Sequence, residues 1–197
     1  MVSAGPASAA GQELRDDNVQ FPDAVPYFEV QDAGWCGMHA LNHYFGGPFV
    51  QRNDCISAAQ QLARKTSERE SDHLYPVSGW LSIETMNILA ATRPGLGKHI
   101  QEGAREWRTL QAEVGVEAMV NWNQTHWTVL KHNSVTQTWL HINSCLGPAR
   151  RHGRAQGLRA ADVEQILAEI RRSAGGASLH RAFFIGVGWV GWIDRDG

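Results

Sequence analysis

Cysteine, excess charge and long apolar runs are all scarce in this chain, and each scarcity narrows what it can be. The three cysteines, Cys36, Cys55 and Cys145, are odd in number and form no CxxC pair. A disulfide framework or a zinc ribbon needs paired thiols, so the chain reads as one that works in a reducing compartment. The first eighteen residues, MVSAGPASAAGQELRDDN, hold no apolar run of the kind that directs export. No segment approaches the roughly 20 apolar residues of a membrane span. The expectation is a soluble intracellular protein, cytoplasmic or nuclear, with no membrane partner. A formal charge of −2 gives nucleic acid nothing to favour. The one basic cluster, Arg150, Arg151 and Arg154, reads as a solvated loop.

What is present describes an ordinary globular domain. Apolar residues make up 43% of the 197 and charged residues 19%, a balance that excludes wholesale disorder. With no internal repeat and no second composition regime, a single domain is expected over 21–192, as a monomer. Residues 1–20 would form a flexible tail and 193–197 a short one. The closing stretch GVGWVGWIDRDG, with Trp189 and Trp192, reads as plain packing or as a partner-binding edge.

Periodicity places the elements. Met38, Leu41 and Phe45 recur at helical spacing, so 36–45 is predicted as a helix, stopped by Gly46, Gly47 and Pro48. A second helix is predicted over 53–65 with Asn53 as its cap and Cys55, Ala58, Ala59 and Leu62 inward. The polar run 64–73 should be an exposed loop or arm. A third helix follows Ser82 and ends near Pro94. Then EAMVN (117–121), WTVLK (127–131) and QTWLHI (137–142) read as an antiparallel sheet. Residues 161–172 repeat apolar side chains at Val163, Ile166, Leu167 and Ile170, a further amphipathic helix. RAFFIGV (181–187) reads as a strand buried on both faces. Helices first, then a sheet with one late helix, is an α+β layout.

The chemistry centres on Cys36 at the start of its helix. A helix N-terminus carries about half a positive charge, which favours a thiolate, and its N–H groups can face a developing oxyanion. By itself Cys36 also reads as a packed core thiol. His126 stands at the start of a strand, where an imidazole could meet that thiol across a cleft as its base. Alone it would be an ordinary histidine. If 127–131 and 137–142 form a hairpin, Asn143 falls beside His126, and its amide carbonyl can hold the imidazole's second N–H. Gln31, five residues ahead of Cys36, could complete an oxyanion hole with the Cys36 N–H. Trp35 and Trp127 flank the two catalytic candidates and are expected to wall a narrow cleft that passes two glycines but not a side chain. His39 lies one turn from Cys36, yet no ligand pair has metal spacing, so no metal is expected and His39 should pack or hydrogen-bond behind the helix. Cys55 and Cys145 read as structural.

These residues resemble a known pattern. Gln31, Cys36, His39, Leu41 and Asn42 fill every named position of Q-x4-C-x2-H-x-L-N in the Josephin family of deubiquitinating domains. His126 and Trp127, followed by WLHINS (139–144), are similar to the family's H-W…W-x-N/D-S block. SGWLSIETMNIL (78–89) resembles its middle helix, and 161–187 its last helix and strand. The resemblance spans about 31–187 and implies a papain-like fold in which helices carrying the Cys pack on a sheet carrying the His and Asn. It implies a thiol-dependent peptidase that cleaves after the terminal Gly-Gly of ubiquitin, with no cofactor. Cys36 would be nucleophile, His126 base, Asn143 orienter and Gln31 oxyanion donor. The stretch 64–78 is short where some members carry a long helical hairpin that guides ubiquitin.

Three other readings share these residues: a papain-like peptidase that processes a viral or bacterial polyprotein, a catalytically weak module that holds ubiquitin without cutting it, and an acyl transferase to amines.

Overall fold

A computed structural model describes residues 27–31, 34–92, 98–101, 105–112, 117–133, 135–145, 154–176 and 178–184. The expected tails, Trp189, Trp192, Arg150 and Arg151 lie outside the described residues. Arg154 begins a strand, so the expected basic loop does not extend through it.

The architecture is mixed α+β. Helices α1 (Cys36–Phe45), α2 (Arg52–Thr66) and α3 (Glu70–His73) come first, followed by a small hairpin of β1 (Leu74–Tyr75) and β2 (Trp80–Leu81). Helix α4 (Ile83–Ala91), strand β3 (Lys98–Ile100) and the short helix α5 (Trp107–Gln111) lead into β4 (Glu117–Asn121), β5 (Trp127–Asn133) and β6 (Thr138–Ile142). The described chain closes with β7 (Arg154–Leu158), α6 (Ala160–Ala174) and β8 (Ser178–Phe184). Six strands make one sheet in the order β3-β8-β4-β5-β6-β7, and every neighbouring pair is antiparallel.

Both faces of this sheet are covered. Successive side chains of a strand point to opposite faces, so each strand splits its apolar residues between two cores. Met119, Val129 and Ile142 align across β4, β5 and β6 and pack with Leu41, Met86 and Leu89 from α1 and α4. Ala118, Val120, Leu130 and Trp139 take the other side, under Val163, Leu167 and Ile170 of α6 and Trp107 and Leu110 of α5. The stripe at 163, 167 and 170 is the one that periodicity predicts. Helices α5 and α3 and strands β1, β2, β3 and β7 are additions to that expectation, each five residues or fewer and too short to show a period.

Several boundaries differ for local reasons. α1 runs Cys36–Phe45 as expected and ends at Gly46 with φ 80°, a left-handed cap that glycine adopts without strain. α2 starts earlier than predicted. Gln51, not Asn53, is its cap residue, and the Asp54 carboxylate accepts the Gln51 N–H at 2.9 Å. Ser82 caps α4, its hydroxyl accepting the Thr85 N–H at 3.2 Å. The polar run 64–73 is exposed as expected up to Asp72, but it ends in the turn of α3, where His73 is buried with its Nε2 3.2 Å from the Glu68 carboxylate. Among the described residues no helix is long and apolar enough to cross a membrane.

Candidate active site

All ten residues of α1 are buried, which a helix can sustain only if every face is covered. Leu41, Tyr44 and Phe45 face the core. The opposite row, His39, Asn42 and His43, grips the extended segment 27–31. One carboxylate, Glu29, gathers this row: its Oε1 takes His39 Nδ1 at 2.5 Å and accepts from Asn42 Nδ2 at 2.9 Å, and its other oxygen accepts from the Tyr27 hydroxyl. The Glu29 N–H donates to His43 Nε2 at 3.0 Å, and the His43 ring stacks on Phe28 with centroids 5.2 Å apart. Burial alone pushes the Glu29 carboxyl up, but the hydrogen bonds from Tyr27, Asn42 and His39 bring it below its usual value. Burial pushes the His43 imidazole down to about 4, so it is neutral at pH 7.

Asn42 does a second job. Its amide donates to the Val50 carbonyl at 3.1 Å and accepts the Val50 N–H at 2.8 Å, tying the far end of the α1–α2 connection back to α1. Val50 is buried, so truncation would strand both of its backbone groups. Asn42→Ala is expected to cost about 2–3 kcal/mol. A urea titration would read this as a lower midpoint with an unchanged slope.

The segment held by Glu29 continues to Gln31, whose N–H donates to the Ser144 carbonyl at 2.8 Å. Gln31 Oε1 in turn accepts from the Ser144 hydroxyl at 3.1 Å. Gln31 therefore lies against the residues that follow β6.

Asn143 precedes Ser144. Its Oδ1 accepts from His126 Nε2 at 2.8 Å and from the Cys145 N–H at 2.9 Å. Two donors converge on one oxygen, which fixes the amide orientation and puts the imidazole proton on Nε2. Nδ1 then carries the lone pair. The indole of Trp122 stands edge-on to His126, at 5.3 Å and 86°. Trp122 Nε1 donates to Thr128 Oγ1 at 3.2 Å, and Thr128 Oγ1 also meets His141 Nε2 at 3.0 Å. The indole can only donate, so Thr128 Oγ1 is the acceptor in that contact. Burial pushes the His126 imidazole below its ordinary value of 6.5, against the pull of the Asn143 hydrogen bond. Its neighbour His141 is pushed to about 4 by the same cause.

Cys36 closes the arrangement. Its Sγ lies 3.9 Å from the carbonyl oxygen of Thr125, the residue before His126. The tight turn between β4 and β5 makes this approach: Asn123 and Gln124 take φ of 45° and 59°, and the Asn121 amide oxygen accepts the Gln124 N–H at 2.9 Å. Trp35, before Cys36, also adopts a left-handed conformation with φ 65°, which costs a non-glycine residue roughly 1–3 kcal/mol. Its ring is half-buried, with the Arg52 guanidinium 5.6 Å from the centroid.

Two expectations about this site change. The helix N-terminus is expected to depress the Cys36 thiol, yet burial pushes it from 9.0 up to about 12. The N–H groups of Trp127, Gly37 and Cys36 pull the other way and do not win. The hairpin turn between β1 and β2 explains part of this. The Ser78 carbonyl accepts the Cys36 N–H and the Gly79 carbonyl accepts the Gly37 N–H, each at 3.1 Å, which takes up the positive end of the helix. The packing is close enough that a Cβ on Gly79 would sit 2.1 Å from Trp35 Cα. The Cys36 N–H is thus already paired in this conformation, and the residue is 0% exposed.

The second change concerns Trp127, which does not wall an open cleft. It is 0% exposed, stacked on Trp80 at 6.1 Å and edge-on to His180 at 5.7 Å, with its Nε1 donating to the Leu81 carbonyl at 2.9 Å. Strand alternation directs it into the core under α1. His39 bonds to Glu29 behind the helix, as expected. Cys55 is buried in α2 and Cys145 is exposed. Among the described residues no group of three His, Cys, Asp or Glu side chains is placed to hold a metal ion.

Ser144, Glu29, Trp122 and the 78–79 turn were not singled out as site residues from sequence. Ser144 had a signal, since it adjoins Asn143 in the run WLHINS, and Trp122 a weaker one, four residues before His126 in NWNQTH. Backbone carbonyls of the turn have none.

No protein-family model matches the chain, and no curated protein matches it.

Proposed function

We propose that this chain is a papain-like cysteine peptidase of the Josephin type that hydrolyses isopeptide or peptide bonds after the C-terminal Gly-Gly of ubiquitin. The observation that carries the reading is the meeting of three separate segments. Cys36 at the head of α1 lies against the turn that delivers His126, and His126 is oriented through a 2.8 Å contact with Asn143. The motif resemblance over 31–187 supplies the substrate class.

In this reaction His126 Nδ1 takes the thiol proton as sulfur attacks the scissile carbonyl carbon. The oxyanion of the tetrahedral intermediate is held by the Gln31 amide. Collapse breaks the C–N bond, the imidazolium gives its proton to the leaving amine, and a thioester remains on Cys36. Water, activated by the same nitrogen, releases the ubiquitin carboxylate and restores the thiol. Burial pushes the Cys36 thiol up and the His126 imidazole down, so it favours the neutral form of both groups. The covered sulfur also favours a slender substrate segment: two glycines need the least displacement of the 78–79 turn.

The same burial favours one second reading, a module that binds ubiquitin without cutting it. Ubiquitin carrying a thiol-reactive group at its C-terminus separates the two. A covalent adduct with the parent chain and none with Cys36→Ala is the expected result. Absence of the adduct with the folded parent chain would overturn the catalytic reading.

A further inference from the structure

Within the proposed peptidase reading, we propose that Ser144 is the positioning residue for Gln31, turning the amide so that its N–H₂ end, rather than its carbonyl, is presented to the oxyanion. Asn143 and Ser144 then work as a pair, the first aiming the base and the second aiming the oxyanion donor.

Three observations carry this. Ser144 is 1% exposed, and a buried hydroxyl must place its proton on an acceptor. That acceptor is Gln31 Oε1, at 3.1 Å. A carboxamide has its acceptor and donors at opposite ends, so fixing the oxygen on Ser144 directs the N–H₂ away from it. The second contact, from the Gln31 N–H to the Ser144 carbonyl at 2.8 Å, pins the backbone of the same residue. Only the side-chain torsions of Gln31 then remain for the hydroxyl to set. Finally, the Cys36 N–H, the other expected donor, is engaged by the Ser78 carbonyl at 3.1 Å. The Gln31 amide is therefore the donor whose orientation weighs most. A flipped amide would present a carbonyl oxygen to an oxyanion, which repels rather than stabilises.

The test uses the full chain and ubiquitin amidated at its C-terminus with a fluorogenic coumarin. Loss of one oxyanion donor lowers kcat roughly 10²–10³-fold, and loss of its orientation alone should cost part of that. Ser144→Ala is expected to lower kcat about tenfold with KM within twofold. The acid limb of the pH profile and the rate of Cys36 alkylation by iodoacetamide should not move, because the His126–Asn143 contact is untouched. Gln31→Ala should lower kcat further. The double variant should match Gln31→Ala alone, because Ser144 acts only through that amide. Should Ser144→Ala fail to fold, Ser144→Cys keeps the volume with a weaker donor and should fall between parent and Gln31→Ala. An active parent with unchanged kcat in the folded Ser144 variant, or a double variant lower than Gln31→Ala, overturns the positioning role and leaves the peptidase reading standing. A parent that neither turns over this substrate nor forms the warhead adduct overturns both.

Discussion

Cys36→Ala and His126→Ala should each lower turnover of a ubiquitin coumarin amide by at least about 10⁴-fold under the proposed peptidase reading, in which nucleophile and base act as one unit and losing either leaves only binding and oxyanion contacts. The two variants differ in a second readout. Cys36→Ala forms no adduct with a ubiquitin warhead, whereas His126→Ala keeps the thiol and should form it slowly. The parent's pH profile carries a sign that the site fixes. His126 must be neutral to accept the thiol proton, and burial holds its pKa below 6.5. Activity should therefore persist as pH drops through 6.5 and fall only at lower pH, where the imidazole protonates. An acid limb centred at or above 6.5 would contradict the buried, Asn143-bound imidazole. Asn143→Ala should move that limb and reduce kcat together, since the same contact sets tautomer and basicity.

Trp127→Ala should cost about 3–5 kcal/mol of stability, the range for removing a fully buried large aromatic. At this chain length that lowers the melting temperature by about 6–20 °C. The ring lies between Trp80 and His180 and holds Leu81 through its indole N–H. Its loss would leave a cavity under α1 and a carbonyl without its donor. Activity would drop with the folded fraction. Had Trp127 walled a cleft, the variant would instead keep its melting temperature and accept alanine in place of a substrate glycine. A thermal melt beside cleavage of Gly and Ala peptides distinguishes the two. Unchanged melting would overturn the core assignment.

Much of the framework was legible in the sequence because it is written in side-chain periodicity. The spacing of Met38, Leu41 and Phe45 marks α1, and Val163, Leu167 and Ile170 mark the stripe of α6. The strands β4, β5 and β6 appear at their predicted places within two residues. The approach of Asn143 to His126 follows from hairpin adjacency, which is again a local property. Trp127 marks the limit. In a sheet covered on both faces, alternation says that neighbours point apart but not which face holds the site, so a tryptophan beside His126 read as a wall when it is a floor.

Side-chain periodicity thus sets the longer helices α1, α2, α4 and α6 and the central strands β4, β5 and β6. Tertiary structure alone decided what surrounds Cys36. The carbonyls of Ser78 and Gly79 on the first turn of α1, the Glu29 anchor of the segment bearing Gln31, and the hold of Ser144 on that glutamine join parts distant along the chain. The physical reason is that every residue has the same backbone C=O, and every residue but proline the same N–H. A carbonyl that caps a helix from a far turn leaves no mark in the side-chain pattern, while the burial it imposes sets the charge of the thiol.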